Sequence, residues 1–253
     1  FFTNSQIISA EGRIFNVKEK FLETRETDPV DAAIITILQI HTENNINDDQ
    51  KFTKNGHILV FFSGQDEIER AKAILKKKIT QFPNFCANLR IYPIFSALPT
   101  KKQIKVFEKV PKNIRKVILA TNIAETSITI DEVEFVVDCG YSKKRFYDFK
   151  SGVDVMVNGL ITKSEANQRK GRAGRVTNGV CYRLYTEEVY EQMREDIVPE
   201  ILRTNLSTII ILLKSLGIKK MSELEFIDSP DKDSMNRSCK NLMYLGAISK
   251  NGK

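Results

Sequence analysis

The chain has 253 residues, 42% hydrophobic and 28% charged, which is apolar enough for a packed core and excludes a disordered tail. Its net charge of +7 and pI of about 9.1 favour a polyanionic partner, although a source-wide bias toward Lys, Asn and Ile accounts for the same charge. No apolar run is long enough for a spanning helix, the start Phe1-Phe2-Thr3-Asn4 lacks signal-peptide character, and four well-separated cysteines (Cys86, Cys139, Cys181, Cys239) argue for reduced thiols and against a zinc site.

Along the chain, strand-like and helix-like stretches alternate. Asp28-Pro29 suits a helix start, because proline is tolerated at the first helical position, and the helix runs over Val30–His41. The Asn- and Asp-rich stretch 42–55 reads as a surface loop. His57–Phe62 is a continuous apolar run, as in a buried parallel strand, and Ser63-Gly64 turns it into a helix over Gln65–Lys78. Leu89–Phe95 is the next strand, with Thr100 capping a helix to about Val110. Lys116–Ala120 and Glu134–Asp138 are two more buried strands. This βα alternation predicts an α/β fold, a parallel sheet with helices on both faces.

From Tyr141 to Val157 two alternating strands surround Lys150-Ser151-Gly152, which predicts a hairpin. A helix over Lys163–Gly174 and a last strand over Gly179–Tyr185 follow. After Pro199 the pattern is mainly helical, with amphipathic helices over Leu206–Leu216 and Lys232–Tyr244. The expected division is one domain over 1–194, hairpin included, and a small one over 195–253.

Three segments carry chemistry. In Gln168-Arg169-Lys170-Gly171-Arg172-Ala173-Gly174-Arg175, a continuous helix would put Gln168, Arg172 and Arg175 at i, i+4 and i+7 on one stripe. Arginine's planar fork of donors matches phosphate; the bland alternative is a basic surface helix. Ser63 and Gly64 lie where a strand passes into a helix. That position suits a backbone phosphate, and it equally suits a plain helix cap. Thr121, Asn122, Ser127, Thr129 and Asp131 follow the 116–120 strand. They can hold phosphate and sugar oxygens or form a turn that satisfies its own backbone.

Ile58–Glu69, then Ala120–Asp131, then Gln168–Arg175 resemble helicase motifs IV, V and VI in order. Ala-Thr-Asn-Ile-Ala-Glu-Thr-Ser at 120–127 is similar to the DEAH-box form of motif V. Ser96-Ala97-Leu98-Pro99, Phe107-Glu108 and Gly179–Glu188 support the match, and Pro199–Leu206 resembles the approach to the winged-helix domain of DEAH-box RNA helicases. The resemblance implies a RecA-like domain followed by a small, mainly helical winged-helix-like domain. It gives Gln168 to the attacking water and Arg172 and Arg175 to the γ-phosphate, with Arg169 in a supporting structural role. It gives Phe107 to adenine, Asp131 to ribose, and Ser127 and Thr129 to coupling nucleotide state with RNA grip. It gives Ser63, Gly64, Ser96, Thr121 and Asn122 to the RNA backbone, and makes the hairpin a wedge against the RNA stack. Lys170 departs from the family's usual small residue, so its ammonium would disturb the helix or reach solvent.

No GxxxxGK[ST] sequence and no Asp-Glu-Ala-His box is present in these residues. The resemblance therefore implies the second RecA-like domain of a longer, ATP-dependent, 3′-to-5′ RNA helicase, with no ATPase activity of its own. Mg²⁺ would be held mainly by the first RecA-like domain, and this chain would supply no metal ligand. Expected partners are single-stranded RNA, ribonucleoproteins and activator proteins, with no membrane. Cys139-Gly140 and Ala166-Asn167-Gln168 lean toward the splicing-related branch, hence toward the nucleus, with the cytoplasm as the other location. A DNA-directed relative and an inert RNA-binding scaffold are the alternative readings.

Overall fold

Strands that are apolar on both faces are stable only when both faces are covered, and this requirement organises the molecule. The computed structural model describes residues 15–43, 56–86, 88–126, 128–148, 151–218 and 224–249, with residues 6 and 8. The predicted loop at 42–55 lies mostly outside them, as does Ser127. Two compact units are present, one of residues 1–142 and 160–195, the other of 143–159 and 196–253.

Among the described residues the strands are β1 (Val17–Phe21), β2 (His57–Phe61), β3 (Leu89–Ile94), β4 (Arg115–Ala120), β5 (Val133–Asp138), β6 (Tyr141–Asp148), β7 (Val153–Leu160) and β8 (Gly179–Arg183). The helices are α1 (Pro29–Glu43), α2 (Gln65–Gln81), α3 (Pro83–Cys86), α4 (Thr100–Gln103), α5 (Lys163–Lys170), α6 (Glu187–Glu191), α7 (Ser207–Ser215) and α8 (Lys232–Tyr244). The first unit is built on a six-stranded sheet in the order β1-β8-β5-β2-β4-β3, with every pair parallel. It is a RecA-like α/β fold.

The two-residue period of a strand sorts the core. Ile58, Val60, Val117, Leu119, Phe135 and Val137 pack with Ala33 and Ile37 of α1 and Ile68 and Leu75 of α2. Leu59, Phe61, Ile118, Ala120 and Val136 face the other way, under Val106, Ala124 and Ala173. One face is thus covered by two long helices and the other by short turns and the end of the α5 segment. At the start of α1, the Asp28 carboxylate accepts the Val30 N–H at 2.9 Å. Among the described residues no helix is long and apolar enough to cross a membrane.

In the strands and helices away from α5, the structure differs from the sequence reading at three places. Strand β1 is not anticipated by the sequence analysis: Val-Lys-Glu-Lys-Phe alternates half-buried and exposed residues, as an edge strand does, and it is held by pairing with the distant β8. Thr100 does not cap its helix: Pro99 precedes the helix, which ends at Gln103 and tightens into a 3-10 turn over Ile104–Val106. The hairpin β6–β7 groups with the second unit rather than the first. There the Tyr147 N–H donates to the Arg203 carbonyl at 2.8 Å, and the Arg203 guanidinium donates to the Arg145 carbonyl at 2.8 Å. The rest of that unit packs Leu206, just before α7, and Ile210 of α7 against Leu242 of α8.

Gly179 opens β8 in a slot where a Cβ would lie 2.7 Å from both the Ala173 and Glu134 carbonyl oxygens. Backbone on two sides cannot yield cheaply, so Gly179→Ala should cost about 1–3 kcal/mol, read as a lowered urea midpoint at unchanged m-value.

Candidate functional site

The carboxyl ends of parallel strands are where open α/β sheets bind ligands, and here those ends carry a buried ionic network. The Asp138 carboxylate, 0% exposed, ends β5. It accepts Arg169 Nη1 at 2.7 Å, the Gly140 N–H at 2.9 Å, Arg183 Nη1 at 3.3 Å and the Tyr185 hydroxyl at 2.9 Å. Arg169 also donates Nε to Glu125 Oε1 at 2.7 Å and Nη2 to the Tyr141 carbonyl at 3.3 Å, and its guanidinium lies 4.9 Å from the Phe61 ring centroid. Arg183 donates Nε to Glu19 Oε2 at 2.8 Å. Lys170 donates to Glu19 Oε1 at 2.8 Å.

The charges balance one for one: Glu19, Glu125 and Asp138 against Arg169, Lys170 and Arg183. Burial opposes the charge of Arg169, but Asp138 and Glu125 outweigh it and hold the guanidinium protonated. Burial raises the Glu125 pKa against the pull of Arg169. For Glu19 burial also works upward, yet the hydrogen bonds from Lys170 and Arg183 win and lower its pKa. Burial, then the neighbouring Asp138 charge, raises the Tyr185 phenol. Arg169 is structural, in keeping with the supporting role the resemblance implies. Lys170 neither disturbs its helix nor reaches out to solvent alone; it ties α5 to β1.

A capping box starts α5: Thr162 Oγ1 accepts the Glu165 N–H at 3.2 Å, and the Glu165 carboxylate accepts the Thr162 N–H at 2.8 Å. The helix then ends at Lys170, four residues short of the sequence expectation. The Arg172 and Ala173 N–H groups donate to carbonyls three residues back, Arg169 at 3.1 Å and Lys170 at 3.1 Å, which is a tightened turn. Two glycines explain the stop. Gly171 disfavours helix. Gly174 is drawn against the β1 edge, where a Cβ would lie 2.7 Å from Val17 Cγ2 and 2.8 Å from the Phe15 oxygen. Gln168, Arg172 and Arg175 therefore do not form a helical stripe. Gln168 is exposed on the last turn of α5, Arg172 is half-buried, and Arg175 is exposed beyond the turn.

Arg172 is docked on the loop that follows β4. Its Nη1 donates to the Ile128 carbonyl at 3.0 Å and its Nη2 to the Glu125 carbonyl. Partial burial, then the like charge of Arg175, lowers the Arg172 pKa, so the two guanidiniums share one field. In the same loop Ile128 is half-buried and Ile130 buried, both packed on the sheet, with Thr129 exposed between them. Asp131 is exposed beside Glu132, which adopts φ 59° while its carbonyl accepts the His57 N–H at 2.9 Å.

The remaining expected residues apart from Phe107, which follows the 3-10 turn Ile104–Val106, lie at the ends of the adjacent strands β2, β4 and β3. Ser63 and Gly64 are buried, and the Ser63 N–H is already taken by the Glu67 carboxylate at 2.8 Å. Ser96 and Asn122 are exposed and Thr121 half-buried. The Thr121 N–H completes the ladder to Ile94 at 3.2 Å, and its hydroxyl is not spent on a cap. Phe107 is 48% exposed. Its presentation depends on Lys116, whose role the sequence reading missed: the buried ammonium donates to the carbonyls flanking Phe107, Val106 at 2.8 Å and Glu108 at 2.5 Å. A lysine inside a buried strand is the signal that could have revealed it. Among the described residues no group of His, Cys, Asp and Glu could hold a metal ion.

Residues 35–177 match the helicase conserved C-terminal domain family. The whole chain aligns with the pre-mRNA-splicing factor ATP-dependent RNA helicase DEAH10 of Arabidopsis thaliana at 41% identity, over 34% of that protein. It aligns with the pre-mRNA-splicing factor ATP-dependent RNA helicase prp22 of Schizosaccharomyces pombe at 39% identity, over 21% of that protein. The crystal structure of Escherichia coli DEAH/RHA helicase HrpB superposes with a TM-score of 0.81 at 28% identity, covering 95% of this chain and 29% of that one. The chain thus spans between about a fifth and a third of the length of the curated relatives it matches.

Asp138→Asn keeps shape but removes the charge between two buried guanidiniums, and should destabilise the fold by about 3–5 kcal/mol in chemical denaturation. Glu19 gives a pH signature. Its folded pKa lies below the ordinary 4.5, so its ion pairs stabilise the fold above that pH and are lost as pH falls through the lower folded value. Glu19→Gln should flatten the loss of stability below pH 4.5, measured as unfolding free energy against pH.

Proposed function

Since the chain belongs to the helicase conserved C-terminal domain family and resembles its DEAH-box members, we propose that it is the second RecA-like half of an ATP-dependent RNA helicase. In this reading the second unit is the beginning of a winged-helix-like domain, and the protein remodels RNA or ribonucleoprotein particles, moving 3′ to 5′. The splicing-factor names of its relatives support a role in pre-mRNA splicing and a nuclear location.

One observation carries the reading. The loop 121–131 leaves the sheet beside the exposed strand ends of Ser96 and Asn122 and is bonded further along to Arg172 through the Glu125 and Ile128 carbonyls. A polymer grip and a phosphate-directed cationic turn are thereby joined by a few residues. Contacts from the exposed Ser96 and Asn122 and the half-buried Thr121 would hold the backbone of single-stranded RNA without sequence choice, whereas Ser63 and Gly64 are buried and the Ser63 N–H is spent on Glu67. ATP, when bound, would supply the phosphoryl group. Arg172 and Arg175 would neutralise charge on its γ-phosphate, and Gln168 would orient a water. Arg175 fits that role: it is exposed, and among the described residues no hydrogen bond or ion pair engages its guanidinium. Phe107 would lie against adenine and Asp131 against ribose, with Ser127 and Thr129 transmitting nucleotide state along the loop. Mg²⁺ would be held mainly by the first RecA-like domain.

In the full-length protein, Arg175→Ala should lower RNA-stimulated ATP turnover by about a thousandfold with RNA affinity retained, while the isolated chain hydrolyses no ATP. Unchanged turnover with weakened RNA binding would show that Arg175 grips RNA rather than nucleotide.

A further inference from the structure

We propose that the cleft between the hairpin turn and α8, within the second unit, holds one nucleotide of single-stranded RNA. The cleft has a volume of about 270 Å³, near the lower end for small-ligand pockets. Tyr147 and Ser151 line it from the hairpin, and Arg237, Lys240, Asn241 and Tyr244 from α8.

Four of the five helix residues that line it form one stripe, the fifth being the buried Ser238. Relative to Arg237, the other three of the stripe stand at i+3, i+4 and i+7, so they share a face. That face is not needed for the core. The opposite side of α8, with Met235, Cys239 and Leu242, packs on Leu206 and on Ile210 of α7. Tyr244 is nevertheless 86% exposed, and a large ring held in solvent beside two cations has no packing role to explain it.

The chemistry selects the ligand. Arg237 and Lys240 suit a phosphodiester, by fork and by point charge. The tyrosines offer flat faces for base stacking, which works with any base. Asn241 and the Ser151 hydroxyl can meet sugar or base-edge groups. The Asp148 carboxylate at the turn is engaged by the Ser151 hydroxyl at 2.7 Å. An acidic peptide would use the cations but leave the exposed Tyr244 ring unexplained.

The identity of the polymer rests on the helicase reading above, and the test separates the two. The full-length protein is titrated with a fluorescein-labelled oligouridylate containing thiouridine, over a range of salt, and photocrosslinked sites are mapped. Tyr244→Ala should weaken binding about tenfold, and Lys240→Ala should reduce the slope of log affinity against log salt by about 0.7. Crosslinks should fall on Tyr147 or Tyr244. Both variants should unfold at the wild-type denaturant midpoint. Wild-type binding that neither variant alters, with crosslinks elsewhere, overturns this inference alone. Failure of the wild type to bind the oligonucleotide overturns the RNA reading with it. Displacement of those crosslinks by polyglutamate at equal charge overturns it in favour of an acidic peptide.

Discussion

A single buried carboxylate sets the geometry at the carboxyl ends of the central strands. Asp138 is removed from water with two guanidiniums against it, and a charge so placed is tolerated only if neutralised and fully hydrogen-bonded. Each arginine then needs more than Asp138. Arg169 finds Glu125, and Arg183 finds Glu19, which also takes Lys170. The result ties β1, β5, β8, α5 and the loop after β4 into one unit. Moving any of these would strand a charge in the interior, at far greater cost than breaking a surface ion pair.

That constraint explains how one octet does two different things. Arg169 points inward and spends its donors on Glu125, Asp138 and Tyr141. Three residues later the chain has left the helix, and Arg172 turns onto the Glu125 and Ile128 carbonyls. Glu125 therefore meets both arginines, one through its side chain and one through its backbone. The loop and the arginine turn are coupled by hydrogen bonds to charged donors, which are stronger than neutral ones.

The second unit solves a different problem with the same economy. Helix α8 has an apolar side that packs on α7 and a cationic, aromatic side that meets the hairpin turn. An amphipathic helix ordinarily gives its second side to water, where rings are unfavourable. Tyr244 stands on that side of α8, 86% exposed.

Much of this was legible in the chain itself. Runs such as Ile58–Phe61 and Val117–Ala120 are apolar at every position, and only a strand covered on both faces makes use of that. The α/β class, the strand ends and the family resemblance followed from local pattern and short motifs. Tertiary structure decided what depends on contacts between distant residues. β1 exists because β8, some 160 positions away, pairs with it. The helix bearing the octet stops early because Gly174 must fit against Phe15 and Val17. Lys170 has a partner because β1 brings Glu19 to it, and the hairpin joins the second unit because Arg203 bonds its backbone. Periodicity and motif are properties of neighbouring residues, so sequence alone determined them. The destination of a buried charge depends on which strands lie side by side, and only the assembled sheet decides that.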